Sequence, residues 1–425
     1  MRYIGPRRAL LSGGTPPSLD LRFTAGGGLD PRITFTRASA ASYFDATGTL
    51  QSATTNVPRF DFDSVMHQPL GLLIEEARTN LLFPSALTVS NWVAIGPSTL
   101  TNNALAALDG TVSAASLFAS DTTSATRQAS HVAIAATGST AYTVSAYLKS
   151  NVTNAAHIQI NSGSAAAAAY FDLVNGVAVV GADLIAGITG KSVSITPMGG
   201  GWYRCTFICM TPSGATTIQP YFGPSTVVST SGDNRAYTGV VGQGVWLWGA
   251  QVEAGAFATS YIPTTTATVT RAADVATMTV GAWFTAAART VQAEVLPATL
   301  APSVFARVLQ IDDGTNTNAI AFLTTPTSNP PVGFYGVAGS SGTVDPVPDI
   351  YNLTVRKMAI AVTPTTTAMA HNGTAAKGLA PGTQAVYTTL HFSDAGGGGQ
   401  INGWLRRVRY WPRAMGVPEL QAATR

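Results

Sequence analysis

Charged residues are scarce in this sequence. Asp, Glu, Lys and Arg together make up 11% of the 425 residues, and glutamate accounts for only 5 of the 21 acids. Because surface helices usually carry glutamate and lysine in quantity, this scarcity argues against a helical protein. The net charge of +3 is small and scattered, with basic clusters at Arg7-Arg8 and at Arg406, Arg407 and Arg409. We therefore predict that the chain does not bind nucleic acid.

Long apolar runs are also missing. No stretch of about eighteen apolar residues occurs, so we expect no insertion into a membrane. The first residues, MRYIGPRRALLSGG, lack the apolar core of a signal peptide. No heptad pattern is sustained and no repeat of fixed period is visible. The sequence therefore predicts no coiled-coil shaft.

The chain has only two cysteines, Cys205 and Cys209. In the run WYRCTFICM they fall on one face of a predicted strand, roughly 13 Å apart, which is too far for a disulfide between them. A zinc site needs two further ligands nearby, and none is evident. We expect two buried free thiols, which fits assembly in a reducing cytoplasm.

Turn-forming residues are abundant by contrast, with 42 Gly and 24 Pro. Between them lie short runs that alternate apolar and polar residues, the pattern of half-buried strands. In the run AYTVSAYLKS, one face carries Tyr142, Val144, Ala146 and Leu148. The predicted fold class is all-β, with an N-terminal arm and a hairpin followed by two antiparallel β-sandwich domains. A surface so poor in charge associates readily, so we expect copies of the chain or other proteins to cover part of it.

Residues 33–84 carry the most definite pattern. Two strand-like runs flank the turn at residues 46–48, which predicts a β-hairpin. In the run PRFDFD at residues 58–63, both phenylalanines fall on one face of a strand and Asp61 and Asp63 on the other. We therefore expect buried rings and outward-facing carboxylates.

Two glutamates follow in the same segment. Glu75 and Glu76 are adjacent on a predicted strand and therefore point to opposite faces, which does not suit a pair of catalytic carboxylates. We expect Glu75 to form a structural ion pair, with either Arg78 or Arg37.

This segment resembles a signature found in virion proteins of tailed bacteriophages. The residues that carry the resemblance are Thr36-Arg37-Ala38-Ser39, Tyr43, Asp45, Gly48, Asn56, Pro58-Arg59, Gly71-Leu72-Leu73-Ile74-Glu75 and Thr79-Asn80-Leu81-Leu82. Such proteins are spike- or fibre-like components of phage heads and tails, and a carbohydrate-binding jelly roll often follows the signature. The resemblance implies a particle component that contacts the host surface and forms a homo-oligomer, most often a trimer in such spikes. It does not imply an enzyme.

Four segments follow from these patterns. Residues 1–32 are rich in Gly and Pro and predict an extended N-terminal arm, either anchored on a neighbour or simply disordered. Residues 33–84 form the hairpin and lead-in, which we expect to attach the chain to the particle. Residues 85–265 predict a jelly roll and residues 266–425 a second sandwich. The polar run PTTTAT at residues 263–268 marks the boundary between the two.

The jelly-roll prediction depends on three runs of residues. These are the run MGGGWYR at residues 198–204, which predicts a hairpin, the closing run WGAQVEAGAFATSYIPT, and the opening run TNLL with Ser85 and Trp92. All three resemble the carbohydrate-binding-module jelly rolls of phage and secreted glycan-active proteins. The five alanines at residues 165–169 could form a helix, but their neighbours favour a strand of small side chains where layers approach closely.

The end of the chain resembles laminin-G and concanavalin-like lectin domains. In those domains a strand that carries an aromatic residue leads into a short helix with an acidic start. Here the run GWLRRVRYWPRAM at residues 403–415 precedes Pro418 and Glu419, which suit the first turn of a helix.

Aromatic rings are the main resource for binding sugars, because they stack on the apolar faces of sugar rings. Trp92, Trp202, Tyr203 and Tyr221 lie at or near predicted loops of the jelly roll and are the candidate ligand-binding residues. For each single ring the alternative is core packing, and a cluster around one groove would favour binding.

Asp312 and Asp313, followed by Gly314, are candidate calcium ligands, as in many lectins. The alternative is an ordinary hairpin turn and no cofactor. The five histidines show no ligand spacing.

Catalysis is not expected from this sequence. A glycan hydrolase needs two carboxylates about 5–10 Å apart. Asp61 and Asp63 are the one same-face pair in an evident strand, and they lie in the lead-in rather than in a sandwich cleft.

The sequence thus indicates a structural virion protein, a spike or fibre component, that recognises a host-surface glycan without cleaving it. The expected partners are other virion proteins, further copies of the chain and the glycan, and the expected place is the virion, assembled in the host cytoplasm. A purely structural head-decoration or tail-assembly protein is the first alternative, and a capsule depolymerase is the second.

Overall fold

The computed structural model describes residues 15–87, 91–285, 287–299, 306–315, 317–324, 332–337, 340–344, 353–379, 386–393 and 399–425. In these ranges the chain forms 34 β-strands and one short α-helix. The prediction of an all-β fold is confirmed.

The strands of the N-terminal segment are β1 (Leu19–Arg22), β2 (Ile33–Thr36), β3 (Ala41–Phe44), β4 (Leu50–Ala53), β5 (Phe60–Phe62), β6 (Pro69–Ile74) and β7 (Arg78–Asn80). β3 and β4 form the predicted hairpin, with Phe44 opposite Leu50. Gly48 in its turn has φ of 76°, and a Cβ atom there would lie 2.6 Å from the carbonyl oxygen of Ser64. The turn therefore requires glycine.

The jelly-roll strands are β8 (Trp92–Ile95), β9 (Ser98–Ala106), β10 (Val112–Ala119), β11 (Ser124–Thr126), β12 (Gln128–His131), β13 (Ile134–Ala135), β14 (Ala141–Asn151), β15 (Ala155–Asn161), β16 (Ala166–Asp172), β17 (Val177–Ile185), β18 (Thr189–Pro197), β19 (Trp202–Met210), β20 (Thr217–Ser225), β21 (Ala236–Thr238) and β22 (Gly244–Ala254). One sheet has the order β18-β19-β14-β22-β10-β9. The other has the order β17-β16-β15-β20-β12-β8, with β13 beside β20, and β11 pairs with β21.

The jelly-roll core lies between these two sheets. Val144, Ala146 and Leu148 of β14 face it, as the alternation predicts, opposite Ile158 and Ile160 of β15. The alanines at residues 166–169 are fully buried in the antiparallel strand β16, which confirms that this run forms a strand of small side chains rather than a helix.

Both cysteines of β19 face the same core as free thiols, which confirms their prediction. Burial raises the pKa of the Cys209 thiol to about 12. The turn between β18 and β19 contains Gly199, Gly200 and Gly201, all with positive φ, and is the predicted hairpin.

The second sandwich contains β23 (Val269–Arg271), β24 (Val275–Thr279), β25 (Arg289–Pro297), β26 (Ala306–Asp312), β27 (Ala319–Thr324), β28 (Val332–Val337), β29 (Ser340–Val344), β30 (Arg356–Val362), β31 (Thr366–His371), β32 (Thr374–Leu379), β33 (Thr389–Phe392), β34 (Gly403–Trp411) and α1 (Val417–Ala423). One sheet has the order β32-β31-β30-β25-β34-β6-β5, with β1 also paired to β34. The facing sheet has the order β2-β24-β33-β26-β27-β28-β29.

Four N-terminal strands therefore belong to the second sandwich, although the jelly roll lies between them in sequence. β1 pairs with β34 through Leu19 and Tyr410, and β6 pairs with the other end of β34 through Leu72 and Leu405. β2 pairs with β24. The lead-in thus completes a sandwich whose other strands follow about 200 residues later.

The prediction of an extended arm over residues 1–32 is wrong for residues 19–22. Leu19 and Leu21 are buried in the core of the second sandwich. Burial of these two side chains stabilises an ordered strand here, although the flanking residues are rich in Gly and Pro. Residues 1–14 lie outside the described part of the chain.

The chain ends with the predicted strand and helix. Trp411, Met415 and Leu420 pack together on the outer face of the sheet. Glu419 caps the helix by accepting a hydrogen bond from the backbone N–H of Gly416, 3.2 Å away. Among the described residues, no helix has the length and apolar character needed to cross a membrane.

Candidate functional site

A cavity of about 550 Å³ lies where the N-terminal segment, the jelly roll and the second sandwich meet. We call it the junction cavity. Its lining residues from the three parts include Tyr43, Asp61, Phe62 and Glu75, then Ser192, Ser194, Thr196, Arg204 and Thr206, and finally Trp404. All three parts of the chain are therefore needed to form it.

The jelly roll contributes the outward face of its six-stranded sheet. Along β18, Val193 and Ile195 pack on the jelly-roll core, so Ser192, Ser194 and Thr196 point the other way and are exposed. This strand presents a row of hydroxyl groups to the cavity.

Arg204 of β19 is held beside this row. Its Nη2 donates hydrogen bonds to the carbonyl oxygen of Thr259 at 2.6 Å and to Oγ of Ser145 at 3.3 Å. Its guanidinium also lies 5.7 Å from the ring centroid of Tyr147. These contacts fix the orientation of the guanidinium.

An aromatic cluster forms one wall of the cavity. The hairpin packs Phe44 and Leu50 against rings of the jelly-roll sheet, among them Trp202, Trp248 and Tyr147. Tyr147 and Trp248 have ring centroids 5.4 Å apart. This packing fixes the hairpin on the sheet and so defines one side of the cavity.

A buried ion cluster lies behind the cavity. It consists of Arg37, Arg59, Arg271, Glu75 and Asp274. Asp274 accepts hydrogen bonds from Arg37 at 3.0 Å, from Arg59 at 2.5 Å and from the backbone N–H of Glu75 at 2.9 Å. The side chains of Arg37, Arg59 and Asp274 are completely buried, so each charge depends on its partners within the protein.

Glu75 joins this cluster to the jelly roll. Its carboxylate accepts hydrogen bonds from the backbone N–H of Ser260 at 2.7 Å and from the Ser260 hydroxyl at 2.6 Å. Its Oε2 also lies 2.8 Å from Arg59 and 3.5 Å from Arg271. Burial raises the pKa of this carboxyl, but the two guanidinium groups and Ser260 outweigh it and lower the pKa to about 2.

The prediction of a structural role for Glu75 is confirmed, but both predicted partners are wrong. Arg78 pairs with Glu76 at 2.6 Å instead, and Arg37 pairs with Asp274. The partners could not be chosen from the sequence because Arg37 and Asp274 are 237 residues apart.

Asp61 is buried, and the prediction that it faces outward is wrong. Its Oδ1 accepts a hydrogen bond from the backbone N–H of Phe44 at 2.6 Å, and its Oδ2 accepts one from Nε1 of Trp404 at 2.8 Å. Phe60 and Phe62 are only half-buried. Asp61 is more buried than the two phenylalanines because the hairpin and the jelly roll cover the outer face of this sheet, on which Asp61 lies.

The environment of Asp61 differs from that of Glu75. Burial raises the pKa of Asp61 to about 6, against the lowering effect of the hydrogen bonds from Phe44 and Trp404. The cavity thus holds two carboxyl groups with opposite pKa shifts. All four of their oxygen atoms accept hydrogen bonds from protein groups, so both carboxylates act as structural acceptors.

The structure does not bring the four predicted ligand-binding aromatics together. Trp92 is 3% exposed and donates its Nε1 hydrogen bond to the carbonyl oxygen of Pro84, and Trp202 is buried against the hairpin. Both are core residues, so their prediction as ligand-binding residues is wrong. Tyr203 and Tyr221 are half-buried but belong to strands of opposite sheets.

The candidate calcium ligands form a hairpin turn between β26 and β27. Asp312 accepts hydrogen bonds from Gln310 and from the backbone N–H of Gly314, and lies 3.2 Å from His391. Asp313 accepts hydrogen bonds from Thr315 and Asn318. Within the described ranges, no group of three or more His, Cys, Asp or Glu side chains could hold a metal ion.

Three cavity residues were not predicted from the sequence. Tyr43, Phe62 and Trp404 are half-buried rings that line the junction cavity. Trp404 stands next to Leu405, whose side chain faces the core, so alternation alone places it on the outer face of the sheet. Its position at a cavity becomes apparent only once the jelly roll is in place.

The fold and this junction define an all-β protein of two sandwiches. No family model and no curated protein matches the chain. Among solved structures it is similar to the carbohydrate-binding module CBM40 of the Ruminococcus gnavus IT-sialidase bound to alpha2,3 sialyllactose, with 12% identity and a TM-score of 0.27, over 33% of this chain and 84% of that one.

Two further similarities extend over more of the chain. Domains LG4-5 of the mouse laminin alpha1 chain are 10% identical with a TM-score of 0.24, over 70% of this chain and 90% of that one. The CBM22-1-CBM22-2 tandem domain of Paenibacillus barcinonensis Xyn10C is 11% identical with a TM-score of 0.24, over 81% of this chain and 100% of that one. Similarities this low carry no inference about this chain.

Proposed function

We propose that this protein is a structural component of a phage particle that binds a host-surface glycan in the junction cavity without cleaving it. One observation carries the proposal: the cavity places the half-buried rings of Tyr43, Phe62 and Trp404 near the exposed hydroxyls of β18. Rings match the C–H faces of sugars, and hydroxyl groups match their alcohols. A cavity of about 550 Å³ is of the size that binds small ligands.

The particle assignment is supported by the residues of the phage-like signature. Arg37, Arg59 and Glu75 belong to that signature, and all three are members of the buried ion cluster. In this chain, these signature residues therefore have a structural role, because they form the buried ion cluster at the junction where the cavity lies. The proposal includes copies of the chain in a homotrimer and other virion proteins as partners, and the virion as the location.

A depolymerase is the second candidate, and the opposite pKa shifts of Asp61 and Glu75 are the observation that favours it. Carboxyl groups whose environments push their pKa values apart are typical of acid–base pairs. However, Glu75 is held by Arg59, Arg271 and Ser260, and Asp61 by Phe44 and Trp404. We therefore favour binding without cleavage.

The test is a screen of the purified chain against host capsular and lipopolysaccharide glycans, with binding and chain length measured together. We expect saturable binding with no shortening. Tyr43→Ala should weaken binding roughly tenfold, because it removes a ring from the cavity. Tyr221→Ala is the matched control, since Tyr221 is also half-buried but lies on the opposite sheet.

Three outcomes would contradict the proposal in different ways. Shortened glycan chains would favour the depolymerase. An absence of binding to glycans and to intact host cells would favour a purely structural head-decoration or tail-assembly protein. Equal losses in the Tyr43 and Tyr221 variants would place the site outside the junction cavity.

A further inference from the structure

A second cavity, of about 510 Å³, lies at one end of the jelly roll. We call it the end cavity. It is formed by the connection between β14 and β15, the loop that follows β20, and the segment from β21 to β22. The polar residues that line it include Thr153, Asn154, Thr226, Tyr237, Thr238 and Gln243. Among the residues that the structure describes, it shares no lining residue with the junction cavity.

Tyr237 is the first sign that the end cavity binds a ligand. The residue is 7% exposed, and its hydroxyl is buried with no hydrogen-bond partner among the described residues. Its ring lies 5.0 Å from the guanidinium of Arg127, and its carbonyl oxygen accepts a hydrogen bond from the same side chain at 2.8 Å. The ring is therefore fixed, while the hydroxyl gains nothing from the fold and is destabilising without a partner.

Val152 is the second sign. This β-branched residue lines the end cavity with φ of 68°, a backbone conformation that valine rarely adopts. The strained segment is held by a hydrogen bond from Nδ2 of Asn151 to the carbonyl oxygen of Gly242 at 3.1 Å. The valine side chain is 65% exposed, so burial does not explain the strain. Strain of this kind is concentrated at functional sites.

The lining residues define the chemistry of the ligand. Threonine hydroxyls and the amides of Asn154 and Gln243 can both donate and accept hydrogen bonds. Asp172 is the one ionisable carboxylate in the described lining, and its oxygens already accept hydrogen bonds from Val174 and Asn175. The exposed side chains of Val152 and Val240 add apolar surface. The combination suits an uncharged ligand with several hydroxyl groups and an apolar C–H face.

We propose that the end cavity binds one neutral sugar residue. Its hydroxyl groups satisfy the Tyr237 hydroxyl and the neighbouring threonine and amide groups, and its C–H face lies against Val152 and Val240. This site is independent of the glycan site proposed for the junction cavity, and the two can be abolished separately.

The decisive variant is Tyr237→Phe in the full chain. It removes a hydroxyl that has no partner in the fold, so thermal stability should be unchanged or higher. Binding of the sugar should weaken roughly five- to tenfold, as for loss of one hydrogen bond. The probes are glucose, galactose, mannose, N-acetylglucosamine and their disaccharides, measured by calorimetric titration.

Two further variants make the test specific. Tyr221→Phe is the matched control: Tyr221 is a ligand-binding candidate from the sequence, but the structure places it in the described lining of neither cavity, so affinity should be unchanged. Val152→Gly should raise thermal stability by relieving the positive φ, yet weaken binding by removing the apolar contact.

The result that overturns the proposal is an absence of saturable binding by every neutral probe, or equal affinity in the wild type and in Tyr237→Phe. Tyr43→Ala, which alters the junction cavity, should leave this titration unchanged. A loss in Tyr43→Ala with none in Tyr237→Phe would therefore support the junction site and exclude the end site.

Discussion

The jelly-roll core and the buried ion cluster are both shielded from solvent, but they are filled in opposite ways. The core consists of apolar side chains such as Val144, Leu148 and Ile158, each of which replaces water with many weak contacts. The cluster consists of three arginines and two carboxylates. Stability is thus spread over many residues in the core and concentrated in a few residues at the junction.

The apolar core and the ion cluster have different roles: the core stabilises the fold, and the cluster determines which segments pair. Apolar residues of similar size can often exchange in a core, because the hydrophobic effect has no direction. A buried charge must meet its own partner, since an unpaired charge is strongly unfavourable there. The ion cluster therefore specifies which segments meet at the junction, and Arg37 and Asp274 do so across 237 residues.

Removal of one buried charge should give the largest effect. Asp274→Ala leaves Arg37 and Arg59 without a carboxylate that both of them contact, and we expect a loss of about 3–5 kcal/mol in the free energy of unfolding. The measurement is urea denaturation at neutral pH. Asp30→Ala is the control, because its pair with Arg32 is partly exposed, and it should cost less than about 1 kcal/mol. Equal losses of unfolding free energy in the two variants would show that the buried ion cluster contributes no more to stability than an exposed ion pair.

The pH dependence of stability should separate the two carboxyl groups of the junction. The pKa of Glu75 is lowered from 4.5 to about 2, so its contribution is present above pH 4.5 and is lost as the pH falls towards 2. The pKa of Asp61 is raised from 3.8 to about 6, so the fold loses stability as the pH rises from 3.8 through 6. Each shift corresponds to about 3 kcal/mol.

Denaturation at a series of pH values tests both signs. Asp61→Asn should flatten the profile between pH 4 and 6, and Glu75→Gln should flatten it between pH 2 and 4.5. If the wild type gained stability steadily from pH 4 to 6, the assignment of a raised pKa to Asp61 would be wrong.

The same contrast explains how much of the structure could be predicted from sequence. Alternation identified the core face of β14 because Val144, Ala146 and Leu148 on that face are all apolar, although the opposite face is also buried under the hairpin. It failed at Asp61 because a second domain covers the outer face of that strand, and period-2 patterns carry no information about such a cover. Trp202 was misassigned for the same reason.

The candidate site was even less predictable from sequence. It depends on contacts between segments far apart in the chain, such as Asp61 with Trp404 and Glu75 with Ser260. Residues 36–82, which carry the most definite sequence pattern, do contribute Arg37, Arg59 and Glu75 to the junction. That pattern did not indicate the cavity itself, whose remaining walls come from the two sandwiches.

The smallest loss of stability is expected for a substitution in the jelly-roll core, which is the counterpart of the substitution in the ion cluster. Ile158→Val removes one methylene-sized group from a fully buried side chain, so we expect a loss of about 1 kcal/mol. This loss should be the same at pH 3 and pH 7, since no titrating group is involved. Ile185→Val is the matched control, because Ile185 is 49% exposed and the same truncation there should be nearly neutral. A loss at Ile158 as large as that of Asp274→Ala, or one that varies with pH, would contradict the distinction between a core stabilised by many weak contacts and a junction stabilised by a few buried charges.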